Sequence, residues 1–374
     1  MKILFFSQDY TTHVYRFLTK MVRGNHDVWF LRLEANPVTY EKRPLPEGVK
    51  QIDWEGCHTF NLNGWGKARL YLSFRKILKD IKPDLVQVGP VQTCGFFTAL
   101  TGFRPILLMS WGSDILISPY KNKLNRFITR YTINRSTMML ADCTTVRDKI
   151  IELSDYPEER IVSFPWGVEL SQFQSGNNNL KLREQLDWQD KKVVIFTRSL
   201  EPMYGIETLM ETIKSTIEKD DNIRFLLVGN GSLSGKMSSF IEDDNLNEYV
   251  NQVGRVDSTV LPDYYREADL YISTSYSDGT SISMLEAMAC KLPVIVTDLP
   301  SNREWVRPDI NGWLVQPGNS KAFGTSILAA FKQQEKLAAI GQANLTLVHE
   351  KADWSKNSDL LLEAYEKIAG RVYR

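Results

Sequence analysis

The sequence predicts an α/β chain of two domains, each built on a parallel sheet. Three observations lead there. At 374 residues the chain is longer than one hydrophobic core usually serves. Short β-rich runs alternate with stretches of helical period, the pattern of βαβ units. Residues 270–298 read as one such unit in full. It has an apolar run at Leu270-Tyr271-Ile272, a break at Ser277-Asp278-Gly279 and a helix from Thr280 or Ser281. Lys291-Leu292-Pro293 stops the helix and Val294-Ile295-Val296 starts another buried strand.

Taken in order, Lys2–Ser7 reads as a buried strand, Gln8–His13 as its exit loop and Val14–Arg23 as a helix. Val28–Leu33 is the second strand. Residues 34–64, with Pro37, Pro44 and Pro46, show no regular pattern. Further strands are expected at Leu85–Val88, Pro105–Ser110, Met138–Thr144 and Arg160–Pro165. Lys192–Thr197 opens a second sheet, with a helix from Ile206 and a strand at Ile223–Val228. Trp354 to Ile368 has helical period.

Composition sets bounds. The 43% apolar content fits a soluble globular protein, and formal net charge is zero. Residues 1–165 carry 23 Lys and Arg against 16 Asp and Glu; the remainder carries 22 against 29. A positive first half suits an acidic acceptor or an anionic membrane surface; scattered solvated charge reads equally well. Two stretches, 64–76 and 120–131, interleave Lys and Arg with aromatic residues at helical spacing. Such helices either lie on an anionic leaflet or simply pack an apolar stripe inward. Neutral overall charge and the lack of a recognisable module argue against nucleic-acid binding. Cys57, Cys94, Cys143 and Cys290 form no C-x-x-C pair and are expected to be reduced thiols of a cytoplasmic protein. The opening apolar run is too short for a signal peptide, and no run is long enough to span a membrane. Asn177-Asn178-Asn179 is the one low-complexity tract.

The chemistry concentrates in the turn after Ile272. Gly279 permits a tight turn and a close ligand. The N–H groups of Thr280, Ser281 and Ile282 at a helix N-terminus attract phosphate. Asp278 and Glu286 would repel a phosphate, so they are better placed to accept hydrogen bonds from hydroxyls. A phosphate flanked by hydroxyls describes a nucleotide sugar. The bland alternative makes Asp278 an N-cap and Glu286 a solvated helix residue.

Asp278-x7-Glu286, followed by Ala287-Met288-Ala289-Cys290 and Leu292-Pro293-Val294-Ile295, resembles the E-x7-E signature of GT-B retaining glycosyltransferases of family 4. Asp278 stands where that family usually has Glu. The resemblance implies two Rossmann-like domains facing across a cleft. It gives Asp278 the donor sugar and Glu286 the ribose. Arg198 through Gly205 is similar to the family's G-R-L-x-x-x-K-G loop, which holds the donor diphosphate; Arg198 matches and Tyr204 replaces the lysine. Gly229-Asn230-Gly231 resembles a family turn. Gly254-Arg255-Val256 is similar to the segment that holds the nucleotide base, and Leu261–Asp269 to the helix after it. In the first half, Ser110–Leu116 looks like the H-G-x-D loop, with Gly112 and Asp114 matched and Trp111 replacing His. Trp111 could stack on a sugar or pack in the core. The first loop has Thr11-Thr12 instead of a glycine pair, leaving His13 as a polar group at the cleft or a surface or N-cap histidine. Trp166-Gly167-Val168-Glu169 resembles the interdomain linker.

Together these imply an acceptor-binding domain at 1–170, a donor-binding domain at 171–354, and a terminal helix at about 355–374 packing back on the first. The implied reaction moves a sugar, with retention, from a nucleotide-diphosphate sugar to a glycan or lipid-linked acceptor, in envelope polysaccharide or glycolipid synthesis. Neither a metal nor a cofactor is expected; peripheral contact at the inner face of the membrane, through the basic first half, is left open beside the plain packing reading. The rival reading is a non-catalytic nucleotide-sugar or glycan-binding partner of another transferase, motivated by Tyr204, Trp111 and Thr11-Thr12. A phosphorylase using pyridoxal phosphate lacks its signature lysine segment.

Overall fold

In a computed structural model, the described residues are 1–33, 41–54, 64–174, 176 and 180–372. Cys57, Pro37 and Asn177–Asn179 lie outside them. The chain forms two compact units, Met1–Phe164 with Ser358–Arg374, and Pro165–Asn357.

The first unit holds a seven-stranded sheet of β1 (Lys2–Ser7), β2 (Asp27–Arg32), β3 (Val49–Ile52), β4 (Leu85–Gly89), β5 (Ile106–Met109), β6 (Met138–Ala141) and β7 (Ile161–Ser163). Their order is β3-β2-β1-β4-β5-β6-β7, every pair parallel. Ile3, Leu4, Phe5 and Phe6 have no exposed surface, because helices cover both faces of a parallel sheet. Three strands are shorter than their apolar runs. Pro105 and Pro165 bring no N–H to a ladder, and Thr144 already starts the helix Thr144–Ser154. The helix Asp359–Val372 packs in this unit. Its Tyr365 hydroxyl donates to the buried Gln87 of β4, and Tyr365 meets the His26 ring edge-on at 5.2 Å.

The second unit holds β8 (Lys192–Phe196), β9 (Ile223–Val228), β10 (Val250–Gly254), β11 (Leu270–Ser273), β12 (Val294–Thr297) and β13 (Gly312–Val315). Their order is β10-β9-β8-β11-β12-β13, again all parallel. Segment 165–168 pairs with segment 352–357. Val168 N donates to Ala352 O at 2.7 Å, and Asn357 Nδ2 to Pro165 O at 3.0 Å. Gly167 sits at φ +59°, and a Cβ there would lie 2.2 Å from Ala352 O, so the linker needs this glycine. Among the described residues no helix is long and apolar enough to cross a membrane.

Candidate active site

In each sheet the strand order reverses beside the first strand, and ligands of open parallel sheets bind at the carboxyl ends there. In the second unit this point lies between β8 and β11. The chain leaving β8 is Thr197-Arg198, and the chain leaving β11 leads to Asp278. Two glycine contacts hold the first loop. A Cβ on Gly229 would lie 2.2 Å from Arg198 O, so the turn after β9 exists to let this loop pass. A Cβ on Gly205, at φ +66°, would lie 2.1 Å from Thr274 O. Thr274 Oγ1 donates to Tyr204 O at 2.9 Å, tying the loop to β11.

The Arg198 guanidinium is the centre of the site. Its Nη2 lies 2.6 Å from Asp278 Oδ2, with the two side chains only 10% and 15% exposed. Its Nη1 donates to Ser281 Oγ at 3.0 Å and Ser283 Oγ at 3.1 Å. The Tyr204 ring covers it, with the guanidinium carbon 4.2 Å from the ring centroid. Burial pushes the Asp278 carboxyl up, opposed by the charge of Arg198 and hydrogen bonds from Ser281 and Gly279. Burial works most strongly against the charge on Arg198, but the Asp278 carboxylate together with the surrounding Tyr204, Tyr271 and Tyr265 outweighs it and holds the guanidinium protonated. Ser301 Oγ donates to Asp278 O at 2.9 Å and fixes the turn.

The helix after this turn runs Ile282–Ala289, one or two residues later than the sequence suggests. Ser281 is its N-cap. Its hydroxyl engages Arg198 and caps no first-turn N–H. The first-turn N–H groups are therefore those of Ile282, Ser283 and Met284, and Gly279 and Thr280 lie in the buried turn before them. One turn along, Glu286 meets Tyr265, whose hydroxyl donates to Glu286 Oε2 at 2.9 Å. The same hydroxyl lies 3.1 Å from Ser283 O and 2.7 Å from Thr197 Oγ1. Tyr271 OH and Ser283 Oγ are 2.9 Å apart. Burial raises both phenols, first through desolvation, so they stay neutral. Gly254, at φ +81° with open space around its Cα, ends the edge strand β10 two strands from β8. Arg255 is exposed beside it and Val256 packs on the core.

In the first unit the corresponding edge gathers His13, on the helix after β1, and Trp111, after β5, with rings 6.0 Å apart. Thr11, not His13, caps that helix, accepting from Val14 N at 3.3 Å. The Trp111 indole lies over Gly89 at the end of β4, where a Cβ would fall 2.8 Å from Nε1. Gly112 takes φ +82°. Asp114 is not a surface contact. It is 4% exposed and accepts from Ser110 Oγ at 2.9 Å, Trp111 N at 2.9 Å and Val91 N at 3.1 Å. It pins the Trp111 loop to the turn after β4, and burial pushes its carboxyl up to about 6.

The family description glycosyl transferases group 1 matches residues 178–347, and glycosyl transferase 4-like matches residues 2–143. The chain belongs to the family-4-like GT-B glycosyltransferases. This glycosyltransferase is 24% identical to TuaC of Bacillus subtilis, named for teichuronic acid biosynthesis, over 87% of its own length and 80% of that protein's. It is 27% identical to the phosphatidyl-myo-inositol mannosyltransferase of Mycobacterium leprae over 48% of its length and 47% of that enzyme's. The crystal structure of Anabaena HepE in complex with UDP and glucose superposes with a TM-score of 0.83 at 18% identity, covering 98% of this chain and 99% of that one.

Of the residues singled out by sequence, the glycosyltransferase brings Arg198, Tyr204, Asp278, Ser281 and Glu286 into one network. Thr197, Tyr265, Tyr271 and Ser283 belong to it and carried no sequence signal as site residues. Cys94, Cys143 and Cys290 are buried, and burial pushes the Cys290 thiol up to about 12. Among the described residues no group of three or more His, Cys, Asp and Glu side chains could hold a metal ion.

Proposed function

We propose that this glycosyltransferase moves a sugar, with retention, from a nucleotide-diphosphate sugar to a glycan or lipid-linked acceptor, without a metal. The reading rests chiefly on one observation: a buried guanidinium paired with Asp278 beside a helix N-terminus at the switch point of the second sheet, with Glu286 one turn into that helix. Arg198 and the N–H groups of Ile282–Met284 form the positive pole for the donor diphosphate, where negative charge develops as the sugar leaves. Asp278 orients a sugar hydroxyl and Glu286 the ribose. Gly254, Arg255 and Val256 lie along the base. The bond from the anomeric carbon to the β-phosphate oxygen breaks. The acceptor oxygen bonds to that carbon on the same face, and its proton passes to the leaving phosphate. The complexes of HepE with UDP and with UDP and glucose favour a uridine donor.

The first unit takes the acceptor, with His13 and Trp111 at its carboxyl edge. The named relatives in teichuronic acid and phosphatidyl-inositol mannoside chemistry support envelope polysaccharide or glycolipid synthesis, at the cytoplasmic face of a membrane.

The experiment is thermal unfolding with UDP, GDP, ADP and CMP, wild type beside Glu286→Ala, followed by donor turnover. At 100 times Kd a ligand stabilises by about 2.7 kcal/mol. One nucleotide that shifts the wild type and not the variant, together with sugar transfer, supports the reading. Nucleotide binding with neither transfer nor donor hydrolysis would make the chain a non-catalytic partner instead. No shift with any nucleotide would remove the donor site.

A further inference from the structure

One surface of the first unit takes no part in the site described above. The helices Gly64–Ile81, Phe96–Leu100 and Lys123–Arg135 adjoin one another. The Tyr71 hydroxyl donates to Leu100 O at 3.1 Å, Tyr71 meets Phe97 edge-on at 6.1 Å, and Phe96 meets Tyr131 at 5.9 Å. Their inner faces send Leu70, Phe74, Leu78 and Ile133 into the core. Their outer faces carry Leu72, Leu100, Leu124 and Phe127 at 63%, 43%, 65% and 62% exposure, and Tyr120 just before the third helix is 48% exposed. Among the described residues eight large apolar side chains are this exposed, and all five in the first unit lie on this layer. Single exposed apolar residues need no explanation, but such a concentration marks an interaction surface.

Charge selects the partner. From Ile115 to Ala141 the sequence holds no Asp or Glu, and Lys121, Lys123, Arg126 and Arg130 are exposed around Leu124 and Phe127. The first helix adds exposed Arg69, Arg75, Lys76 and Lys79 against the single acid Asp80. A second copy of this chain would bring the same positive charge against itself. A bilayer offers both complements at once, anionic headgroups for the cations and hydrocarbon just beneath for the apolar tips. We propose that this face docks peripherally on an anionic lipid bilayer. Leu72, Leu124 and Phe127 reach the acyl boundary, and Lys121, Lys123, Arg126 and Arg130 meet headgroup phosphates. That the bilayer also carries the acceptor rests on the lipid-linked reading above; the docking does not.

The test is co-sedimentation of the full chain with phosphatidylcholine vesicles, with and without phosphatidylglycerol. The wild type binds the anionic vesicles, more weakly as salt rises, and not the neutral ones. Each surface cation contributes about fivefold in affinity, so Lys123→Gln/Arg126→Gln/Arg130→Gln weakens binding roughly a hundredfold. Leu124→Gln/Phe127→Gln abolishes the binding that survives in high salt. Neither variant changes the thermal shift given by UDP, so a failed donor site and a failed docking face are told apart. Binding indifferent to phosphatidylglycerol, or unchanged in both variants, overturns the proposal. So does a wild-type dimer that Leu124→Gln/Phe127→Gln dissociates in sedimentation velocity, which would make the face a protein interface.

Discussion

Replacing Arg198 by Met separates what the ion pair does for the fold from what it does for the donor. The pair is 2.6 Å long and its side chains are 10% and 15% exposed, so the variant leaves the Asp278 carboxylate buried without its cation. Breaking a buried pair from one side costs about 3–5 kcal/mol, because the remaining charge is left desolvated. In the Pro165–Asn357 unit that amounts to a fall in Tm of about 10 °C. Removing the second charge as well, in Arg198→Met/Asp278→Asn, should recover all but about 1–2 kcal/mol, since Ser281, Ser283 and Gly279 still offer neutral partners. The pH dependence has a fixed sign. The folded Asp278 carboxyl lies above its unfolded value and rises further without Arg198, so the folded variant binds its proton more tightly than the unfolded chain. Arg198→Met therefore gains stability relative to wild type as pH falls. Equilibrium urea unfolding at neutral and mildly acid pH reads all three quantities, and donor turnover reads the fourth. The double variant is expected to be stable and inactive. A single variant within about 1 kcal/mol of wild type, or a double variant as unstable as the two singles summed, would refute the reasoning.

Tyr265→Phe removes one hydroxyl that touches Glu286, Thr197 and Ser283. It should cost about 1–3 kcal/mol in urea unfolding and raise the donor KM on the order of tenfold with little change in kcat. An unchanged KM would mean that Glu286 needs no positioning. Gly205→Ala places a Cβ 2.1 Å from Thr274 O in a left-handed conformation, so it should destabilise by about 2–5 kcal/mol and weaken nucleotide shifts by moving the Arg198 loop. Asp114 titrates at about 6 in the folded state against about 4 unfolded. Measured against Asp114→Asn, wild type should gain up to roughly 3 kcal/mol as pH falls from 7 to 4; a flat difference would refute its burial as the cause.

The strands were legible because parallel strands are buried on both faces and read as unbroken apolar runs. β3, β10 and β13 were not, because they are edge strands without such a run: Val49-Lys50-Gln51-Ile52 exposes Lys50 and Gln51, and Val250–Gly254 and Gly312–Val315 are only partly buried. Arg198 and Asp278 stood out in sequence because each follows a strand end, and Glu286 through its spacing from Asp278 in the motif, inside the helix Ile282–Ala289. The start of the helix Ile282–Ala289 was not legible, because Thr280 and Ser281 are equally good starts by composition. Tyr265 and Tyr271 look like core aromatics in sequence, and their hydroxyl bonds join segments up to 68 residues apart. Asp114 was found as a motif residue, but two of its donors come from its own loop and the third, Val91 N, from the turn after β4, 23 residues earlier, and burial cannot be read from spacing.

Tyr204 shows why a departure from a family pattern need not empty a site. A lysine at that position would set a second cation within a few ångströms of Arg198, which at an effective dielectric of 20 costs about 3–4 kcal/mol until a diphosphate arrives. A tyrosine ring instead attracts the guanidinium through its face and shields it from water, which strengthens whatever field Arg198 projects. The site thus exchanges a second charge for a better-held first one. With Asp278 ion-paired on one side and the Ile282 helix terminus adjoining, the positive pole is fixed in place before any anion binds. That is the condition under which a single guanidinium stabilises developing charge without reorganising at the moment of reaction.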